Sequence, residues 1–396
     1  MSKIDDLEEV YGEVTQAGLD RLLERKGVPR TERGSMMRRD GAERMSVSRE
    51  LITRMTYGIA DRNPLYVDEE YAARSIWGRL LCPPGILSWA EVVNGATDGF
   101  PGCHTIWRGC ELEWERPIFV GDRINSVSYL ADARLAESKF GGGQAAIQDY
   151  ETKSETGDGE VIGYYRTSWH RFSRLKAKGA KKYADSERPQ WTDEELEAVW
   201  EEYRTHNLAN RRGDVPLYWE DVEVGTDIPH IVKGPTTLTS KWAFESMGGP
   251  GGWIVGHELM LDLMQQHPGL HIRNEENVPE PPVAIHWTNE RCQKYLGMPA
   301  AYEAGYERLN WLTQLLMSWM GDHGMLRKLS IRFKGFHWQG DLVRLHATVT
   351  GKREEGGRRL VDLDISTRTH RDEVTTKGSA VVQLPGKGGA PVWPPS

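Results

Sequence analysis

Hydrophobic and polar residues alternate in two blocks of the chain, one in each half. In the first half the alternating segments are residues 117–124, 126–130, 144–150 and 161–169. In the second half they are residues 329–333, 339–349, 359–365 and 376–384. Alternation with a period of two predicts antiparallel strands that bury one face. Each half is therefore expected to contain a meandering sheet.

Segments with helical apolar spacing precede the strands in both halves. They reach to about residue 95 in the first half and lie around residues 238–266 and 301–320 in the second. The pairs Gly121-Asp122 and Gly340-Asp341 mark the same turn before the same strand. This repeated order predicts an α+β protein with two similar modules, each an antiparallel sheet wrapped around a central helix.

The region between the modules has a composition of its own. Residues 176–182 are basic and are interpreted as a flexible connector. Thr192 followed by Glu195 predicts a capped helix that continues to about Asn207. We therefore predict an N-terminal extension, a first domain, a linker with a helix and a second domain. Their boundaries are residues 1–45, 46–175, 176–214 and 215–390.

Length and charge narrow the class of protein. A chain of 396 residues is too long for one ordinary core. The formal net charge of −8 argues against a nucleic-acid binder, which needs a basic face. No segment approaches the roughly 18 apolar residues of a membrane span. The acidic N-terminus also lacks the apolar stretch of a secretory signal.

The cysteines and tryptophans add two further expectations. The cysteines lack the C-x-x-C spacing of a zinc site, so we expect free thiols in a reduced, cytoplasmic protein. They are Cys82, Cys103, Cys110 and Cys292. The 15 Trp outnumber the 7 Phe. Most are expected in the core, but they would also suit a wide pocket for a bulky ligand.

Candidate chemistry is densest on the turn at residues 61–66. Asp61, Asn63 and Tyr66 surround Pro64 directly after a segment with helical spacing. Proline disfavours the helical conformation of the residue before it, so Asn63 should end the helix and the polar groups should lie on a tight turn. Such a turn is either the wall of a reaction site or a solvated helix end.

The residues around this turn resemble a known motif. Residues 57–72 and 78–85 are similar to the hydratase motif and the dehydratase N-terminal domain of MaoC-like enoyl-CoA hydratases and dehydratases. Residues 286–291 and 297–305 resemble the corresponding part of the C-terminal MaoC-like domain. The resemblance implies a tandem hot-dog fold that hydrates a 2-enoyl thioester or dehydrates a 3-hydroxyacyl thioester. It implies no metal or organic cofactor.

In this family an aspartate and a histidine five residues later position a water molecule and move protons, and a glycine N–H polarises the thioester carbonyl. In the first half Asp61 stands at the aspartate position, Asn63 is retained, and Gly85 stands at the glycine position. Tyr66 occupies the histidine position. A phenol with an ordinary pKa near 10 is a poor general base at neutral pH, although it can donate a proton.

The second half departs from the motif in the opposite way. His286 stands at the histidine position and Gly305 at the position of the amide donor, but Pro281 lies where the aspartate should be. A carboxylate from elsewhere would have to replace it, and the candidates are Glu258, Glu290 and Glu303. The Gly-rich residues 248–252 are interpreted as a flexible loop over this second site.

Three hypotheses about the site remain open: Asp61 and Tyr66 run the chemistry, His286 runs it with another carboxylate, or both sites are degenerate. We expect a hydratase or dehydratase of a bulky acyl-CoA thioester, with His286 as the main acid–base group and Asp61 and Tyr66 in support. Asn63, Gly85 and Gly305 are the expected substrate-binding residues. The alternatives are an acyl-CoA thioesterase with Asp61 as base, and a subunit that only binds thioesters. Neither nucleic acid nor a membrane is an expected partner, and a homo-oligomer is compatible with the sequence.

Overall fold

The computed structural model describes residues 11–30, 45–180, 183, 188–246, 256–267, 269 and 271–393. The α-helices are α1 (Gln16–Leu23), α2 (Arg49–Ile59), α3 (Pro64–Val67), α4 (Glu69–Arg74), α5 (Arg174–Ala180), α6 (Asp193–Glu202), α7 (Leu238–Glu245), α8 (His257–Gln266), α9 (Asn289–Leu296) and α10 (Gly305–Met320). Short 3-10 helices span Pro84–Ala90, Trp219–Asp221 and Pro282–His286, and a π-helical turn spans Tyr203–Leu208. Within the described ranges, none of these helices is long and apolar enough to cross a membrane.

The strands are β1 (Met45–Ser46), β2 (His104–Trp114), β3 (Arg123–Ser138), β4 (Gly143–Glu155), β5 (Val161–Phe172), β6 (Ile231–Lys233), β7 (Ile272–Arg273), β8 (Pro279–Glu280), β9 (Met325–Phe333), β10 (Val343–Glu355), β11 (Arg358–Thr369) and β12 (Val374–Gln383). Ten of them form one sheet in the order β1-β3-β4-β5-β2-β9-β12-β11-β10-β6, and β7 pairs with β8. The pairs in both sheets are antiparallel. The predicted α+β class is thus confirmed.

The two halves of the large sheet have the same strand order and meet at its centre. Antiparallel pairing of β2 with β9, from Gly109 opposite Arg332 to Glu113 opposite Lys328, joins them. The sequence pattern did not predict β2 because a β-bulge between Trp107 and Gly109 shifts its alternation. The seam between the modules is therefore a hydrogen-bonded ladder.

The central helix of the second half is α10. Leu309, Leu312, Leu315 and Leu316 are each at most 1% exposed. A helix that is buried on nearly every face belongs inside a curved sheet, and α10 packs against β9, β10 and the 3-10 helix Pro84–Ala90. This arrangement agrees with the predicted module.

The first half has only the 3-10 helix Pro84–Ala90 in the equivalent place. The chain that follows, residues 91–103, is irregular because Asn94-Gly95, Asp98-Gly99 and Pro101-Gly102 are turn-forming pairs. The buried Arg171 holds this segment by donating to the carbonyl oxygens of Gly95 at 2.9 Å and Gly99 at 2.9 Å. The helical pattern predicted to about residue 95 is therefore shorter than expected.

The linker helix begins where the capping box predicted. The Thr192 Oγ1 accepts the Glu195 N–H at 3.2 Å, and the Glu195 carboxylate accepts the Thr192 N–H at 2.8 Å. With its π-helical turn, the helix continues to Leu208. The segment predicted to be a flexible connector is instead partly helical, because residues 176–180 belong to α5. The Gly-rich residues 248–252 lie outside the described residues, as do residues 1–10 and 31–44 of the predicted extension.

The repeated Gly-Asp turns are equivalent in structure. The Asp122 Oδ2 accepts the N–H of Phe119 at 2.9 Å, and the Asp341 Oδ2 accepts the N–H of Trp338 at 2.9 Å. Each aspartate closes its own turn three residues back. Their interpretation as turn residues is confirmed.

A buried polar cluster around Asp61 links the first half to the rest of the protein. The Lys233 Nζ donates to the Ile59 carbonyl at 2.6 Å, and the Arg211 guanidinium bridges Asn63 Oδ1 at 2.8 Å and Asp322 Oδ1 at 2.9 Å. Burial raises the pKa of Asp61, although nearby Lys233 opposes the rise. Burial also lowers the pKa of Lys233 to about 8, which Asp61 opposes. The two charges therefore support each other in the interior.

This cluster predicts a role for Asp61 in stability. Asp61→Asn should lower the free energy of unfolding by about 2 kcal/mol, because buried Lys233 loses the nearby negative charge. Denaturant unfolding at neutral pH measures the change. Glu70→Gln, at an exposed position of α4, is the control and should change it by less than about 0.5 kcal/mol. An Asp61→Asn protein as stable as the wild type would contradict the structural role.

Candidate functional site

A cavity of about 1510 Å³ lies between the two halves. It exceeds the roughly 300–1,000 Å³ of most ligand pockets. Its wall combines the irregular segment of the first half with β2, the first turn of α10, the end of β9, the end of α7, and α1. In the first half the irregular segment after the 3-10 helix Pro84–Ala90 forms this part of the wall.

Aromatic side chains give the cavity a rigid wall. The Trp107 ring stacks on Tyr306 with centroids 4.5 Å apart and on Trp169 with centroids 5.9 Å apart. Phe333 meets Trp107 edge-on at 5.1 Å. These residues come from β2, α10, β5 and β9, so both halves contribute to one apolar surface. This surface suits a large, mainly apolar ligand.

His286 lies on the cavity wall at the end of the 3-10 helix Pro282–His286. Its Nδ1 is 2.8 Å from the Tyr302 carbonyl oxygen, which can only accept, so Nδ1 carries the proton and donates. Burial lowers the pKa of His286 to about 3, and nearby Lys241 adds to this effect. The ring is therefore neutral at physiological pH, and its Nε2 has a free lone pair.

Gly305 lines the same cavity as the first residue of α10. The first amide groups of a helix have no acceptor within it, and the helix dipole places partial positive charge there. A Cβ atom at this position would lie 2.6 Å from Trp107 Cε3 and 2.9 Å from Phe333 Cζ. Only glycine lets the helix start so close to these rings.

A buried set of charged residues surrounds this helix start. The Lys241 ammonium of α7 pairs with Glu307 in the first turn of α10. Glu245, one turn after Lys241 on α7, is buried and lines the cavity. Burial raises the pKa of Glu245 to about 7, although Lys241 opposes the rise. A carboxyl group that titrates near neutral pH is thus present in the cavity.

The other predicted site residues lie elsewhere. Among the described residues that line the cavity, Asp61, Asn63, Tyr66 and Gly85 do not occur. Tyr66 is fully buried, and burial and Asp61 raise its pKa well above the ordinary value, so it cannot act as a base at neutral pH. Gly85 permits close packing instead, since a Cβ there would lie 2.1 Å from Asn310 Oδ1.

Of the three carboxylates that the sequence suggested as partners for His286, only one lines the cavity. Glu303 lines the cavity, but its carboxylate is held by Arg308 and by the His337 N–H at 2.9 Å. Glu258 and Glu290 are exposed in the first turns of α8 and α9, outside the cavity lining.

Sequence reasoning missed Lys241 and Glu245. Their only signal is a spacing of four residues within a segment of helical pattern. That spacing is common on solvated helix faces, so it did not indicate a site.

Cationic side chains line the part of the cavity at which Arg332 and Lys334 are exposed to solvent. Arg108 and Arg332, on the neighbouring strands β2 and β9, and Lys334 just beyond β9 all line it. Arg108 donates to Ser168 Oγ at 3.0 Å and Arg332 to the Ile331 carbonyl at 3.3 Å. Within the described ranges, neither arginine nor Lys334 forms an ion pair with a carboxylate. Positive charge remains available there for an anion.

Comparison with known proteins agrees with this architecture. The family model described as "FAS1-like, dehydratase domain region" matches residues 36–163. A comparison of the sequence with curated proteins gives no match.

Several solved structures share the fold at low sequence identity. A MaoC-like dehydratase superposes with a TM-score of 0.62 and 14% identity over 92% of this chain and 99% of its own. A conserved hypothetical protein from Mycobacterium tuberculosis with a double hotdog fold superposes with a TM-score of 0.55 and 12% identity, over 93% of this chain and 99% of its own. A putative MaoC domain protein dehydratase from Chloroflexus aurantiacus J-10-fl superposes with a TM-score of 0.53 and 11% identity, over 91% of this chain and 94% of its own. These findings support the resemblance stated from the sequence and show that the chain has the double hot-dog fold of these structures, with residues 36–163 similar to the FAS1-like dehydratase region.

Proposed function

We propose that the protein hydrates a 2-enoyl-CoA thioester, or dehydrates the matching 3-hydroxyacyl-CoA thioester, in the cavity between its halves. The observation that carries the proposal is the state of His286. Its Nδ1–H is fixed on the Tyr302 carbonyl, which leaves Nε2 as a proton acceptor on the wall of a large cavity. A neutral imidazole held in one tautomer offers a fixed lone pair to a proton of attacking water, and the burial that lowers its pKa to about 3 also makes it a weaker base than an ordinary histidine.

Gly305 supplies the second part of the chemistry. Addition of water to the C2–C3 double bond places negative charge on the thioester oxygen, and fixed N–H donors stabilise such charge. The start of α10 offers an amide group and a helix dipole at the cavity wall. In this proposal these first-half residues are structural: Asp61 and Asn63 belong to the buried polar cluster, Tyr66 is buried, and Gly85 packs against Asn310.

The size and lining of the cavity support a bulky acyl group. The irregular segment of residues 91–103 leaves open the volume that a central helix would fill, and Trp107, Trp169 and Phe333 line it. A short linear acyl chain would leave much of this wall exposed to water. A branched or ring-containing chain would cover it.

The cationic side supports coenzyme A as the carrier. Arg108, Arg332 and Lys334 lie together without carboxylate partners among the described residues, and phosphate groups prefer such arginines.

The reaction class can be tested with a panel of enoyl-CoA and 3-hydroxyacyl-CoA esters. Gain or loss of enoyl absorbance without release of free thiol supports a hydratase. Release of free CoA would support a thioesterase instead. No change in enoyl absorbance and no free thiol with short, branched and ring-containing esters would support a binding role.

His286→Ala should lower kcat/KM for hydration by about 100-fold or more, because it removes the proton acceptor. Asp61→Asn should keep the wild-type kcat/KM within about threefold once its stability is allowed for. His323→Ala, outside the cavity lining, is the matched control. Full activity of His286→Ala together with an inactive, folded Asp61→Asn would move the site to the first half.

Arg332→Ala should raise KM for a CoA thioester about fivefold and leave kcat nearly unchanged, since an exposed contact to phosphate contributes up to about 1 kcal/mol. The same acyl group on N-acetylcysteamine lacks the phosphates and serves as the control, so its KM should not change. An equal rise in KM for both thioesters would refute the phosphate contact.

A further inference from the structure

The geometry points to Glu245 as the second acid–base group of the cavity, the carboxyl group that delivers the proton to C2 of the enoyl thioester. This inference rests on the hydratase function proposed above. It identifies a catalytic residue at a position that the family motif does not cover.

The first reason is the place of Glu245 in the repeated architecture. In the first half an edge strand, β1, leads into α2, and Asp61 follows two residues after α2 ends at Ile59. In the second half the edge strand β6 leads into α7, and Glu245 is the last residue of that helix. The helices α2 and α7 pack against each other. Each half thus has a buried carboxyl group at the end of the same helix.

The second reason is the packing of α7 against both reactive elements. Lys241 and Glu245 are four residues apart on one face of α7, and Lys241 pairs with Glu307, two residues after Gly305. On the other side, Trp242 of α7 packs on Trp287, the residue after His286, with ring centroids 5.0 Å apart. The end of α7 is therefore fixed beside the helix start and beside the histidine.

The third reason is that the Glu245 carboxyl group is not committed to a partner. Among the described residues, no hydrogen bond or ion pair holds it, whereas Glu303 is bound by Arg308 and the His337 N–H. Glu245 nevertheless lines the cavity. A buried carboxyl group without a fixed partner is available to exchange a proton with a ligand.

The charges around Glu245 set its protonation. Lys241 on the same helix opposes the rise in its pKa, Glu307 on α10 adds to it, and burial dominates. Arg54 on α2 donates to the Ser246 carbonyl at 3.4 Å and also lines the cavity, as does His286. With a pKa of about 7, Glu245 is largely protonated below pH 7, while His286 stays neutral.

Atoms, electrons and protons are conserved in the proposed hydration. The oxygen of water bonds to C3 as its proton passes to His286 Nε2, and the π electrons of C2=C3 shift toward the thioester carbonyl, whose oxygen faces the Gly305 N–H. The electrons then return to C2, which takes the proton of Glu245. The proton on His286 passes through solvent to the Glu245 carboxylate and restores the starting state. No oxidant, reductant or co-reactant other than water is required.

The test is a comparison of Glu245→Gln with Glu258→Gln and Glu290→Gln, two exposed positions outside the cavity. Glu245→Gln should lower kcat for hydration about 100-fold or more, with KM within about threefold, and the controls should stay within twofold. Glu245→Asp should recover part of the loss, because it restores a carboxyl group on a shorter side chain.

The pH profile distinguishes catalysis from a structural role. In the wild type, kcat/KM for hydration should be high below pH 7 and fall as pH rises through about 7, because Glu245 loses its proton. The residual activity of Glu245→Gln should lack this inflection. A wild-type profile that is flat from pH 6 to 8 would overturn the inference even if Glu245→Gln fails to fold.

Failure of this inference is separable from failure of the function. If His286→Ala is inactive while Glu245→Gln hydrates at the wild-type rate, the hydratase stands and Glu245 is not its acid. If the wild type hydrates none of the panel esters, the proposed function fails, and the inference with it.

Discussion

The pairing of β2 with β9 is the constraint on which the rest of the structure depends. This antiparallel ladder turns two four-stranded sheets into one curved surface, flanked by the short edge strands β1 and β6. It places α10 of the second half opposite the irregular segment of the first half. Because one side supplies a buried helix and the other supplies only a 3-10 turn, the seam encloses a cavity.

The two halves share one strand order but differ in where their candidate site residues lie. The first half keeps the recognisable motif, yet Asp61 and Asn63 lie in a closed polar cluster with Lys233 and Arg211. The second half has Pro281 where the motif has an aspartate, yet His286 and Gly305 line the cavity. The charge cluster connects the two halves, and the irregular segment of the first half forms part of the wall of the cavity between them. The residues that resemble the motif most closely are therefore not the ones that line the cavity.

The sequence was sufficient for the architecture because alternation, the Gly-Asp turns and the capping box of Thr192 are local signals. It was insufficient for β2, whose bulge breaks the alternation, and for the first-half helix, which ends at Ala90 before the irregular residues 91–103. Glu245 could not be found in this way, since its burial and its proximity to α10 arise only from tertiary packing. A motif also carries no information on whether a cavity is open, so the closed state of the Asp61 cluster required the structure.

The most direct test of the account is a crystal structure of the His286→Ala protein with a bound 3-hydroxyacyl-CoA thioester. The account predicts that the acyl group lies against Trp107 and Phe333, with its carbonyl oxygen within hydrogen-bond distance of the Gly305 N–H. The phosphate groups should lie near Arg332 and Lys334. A ligand bound beside Asp61 and Tyr66, with the cavity between the halves empty, would contradict it.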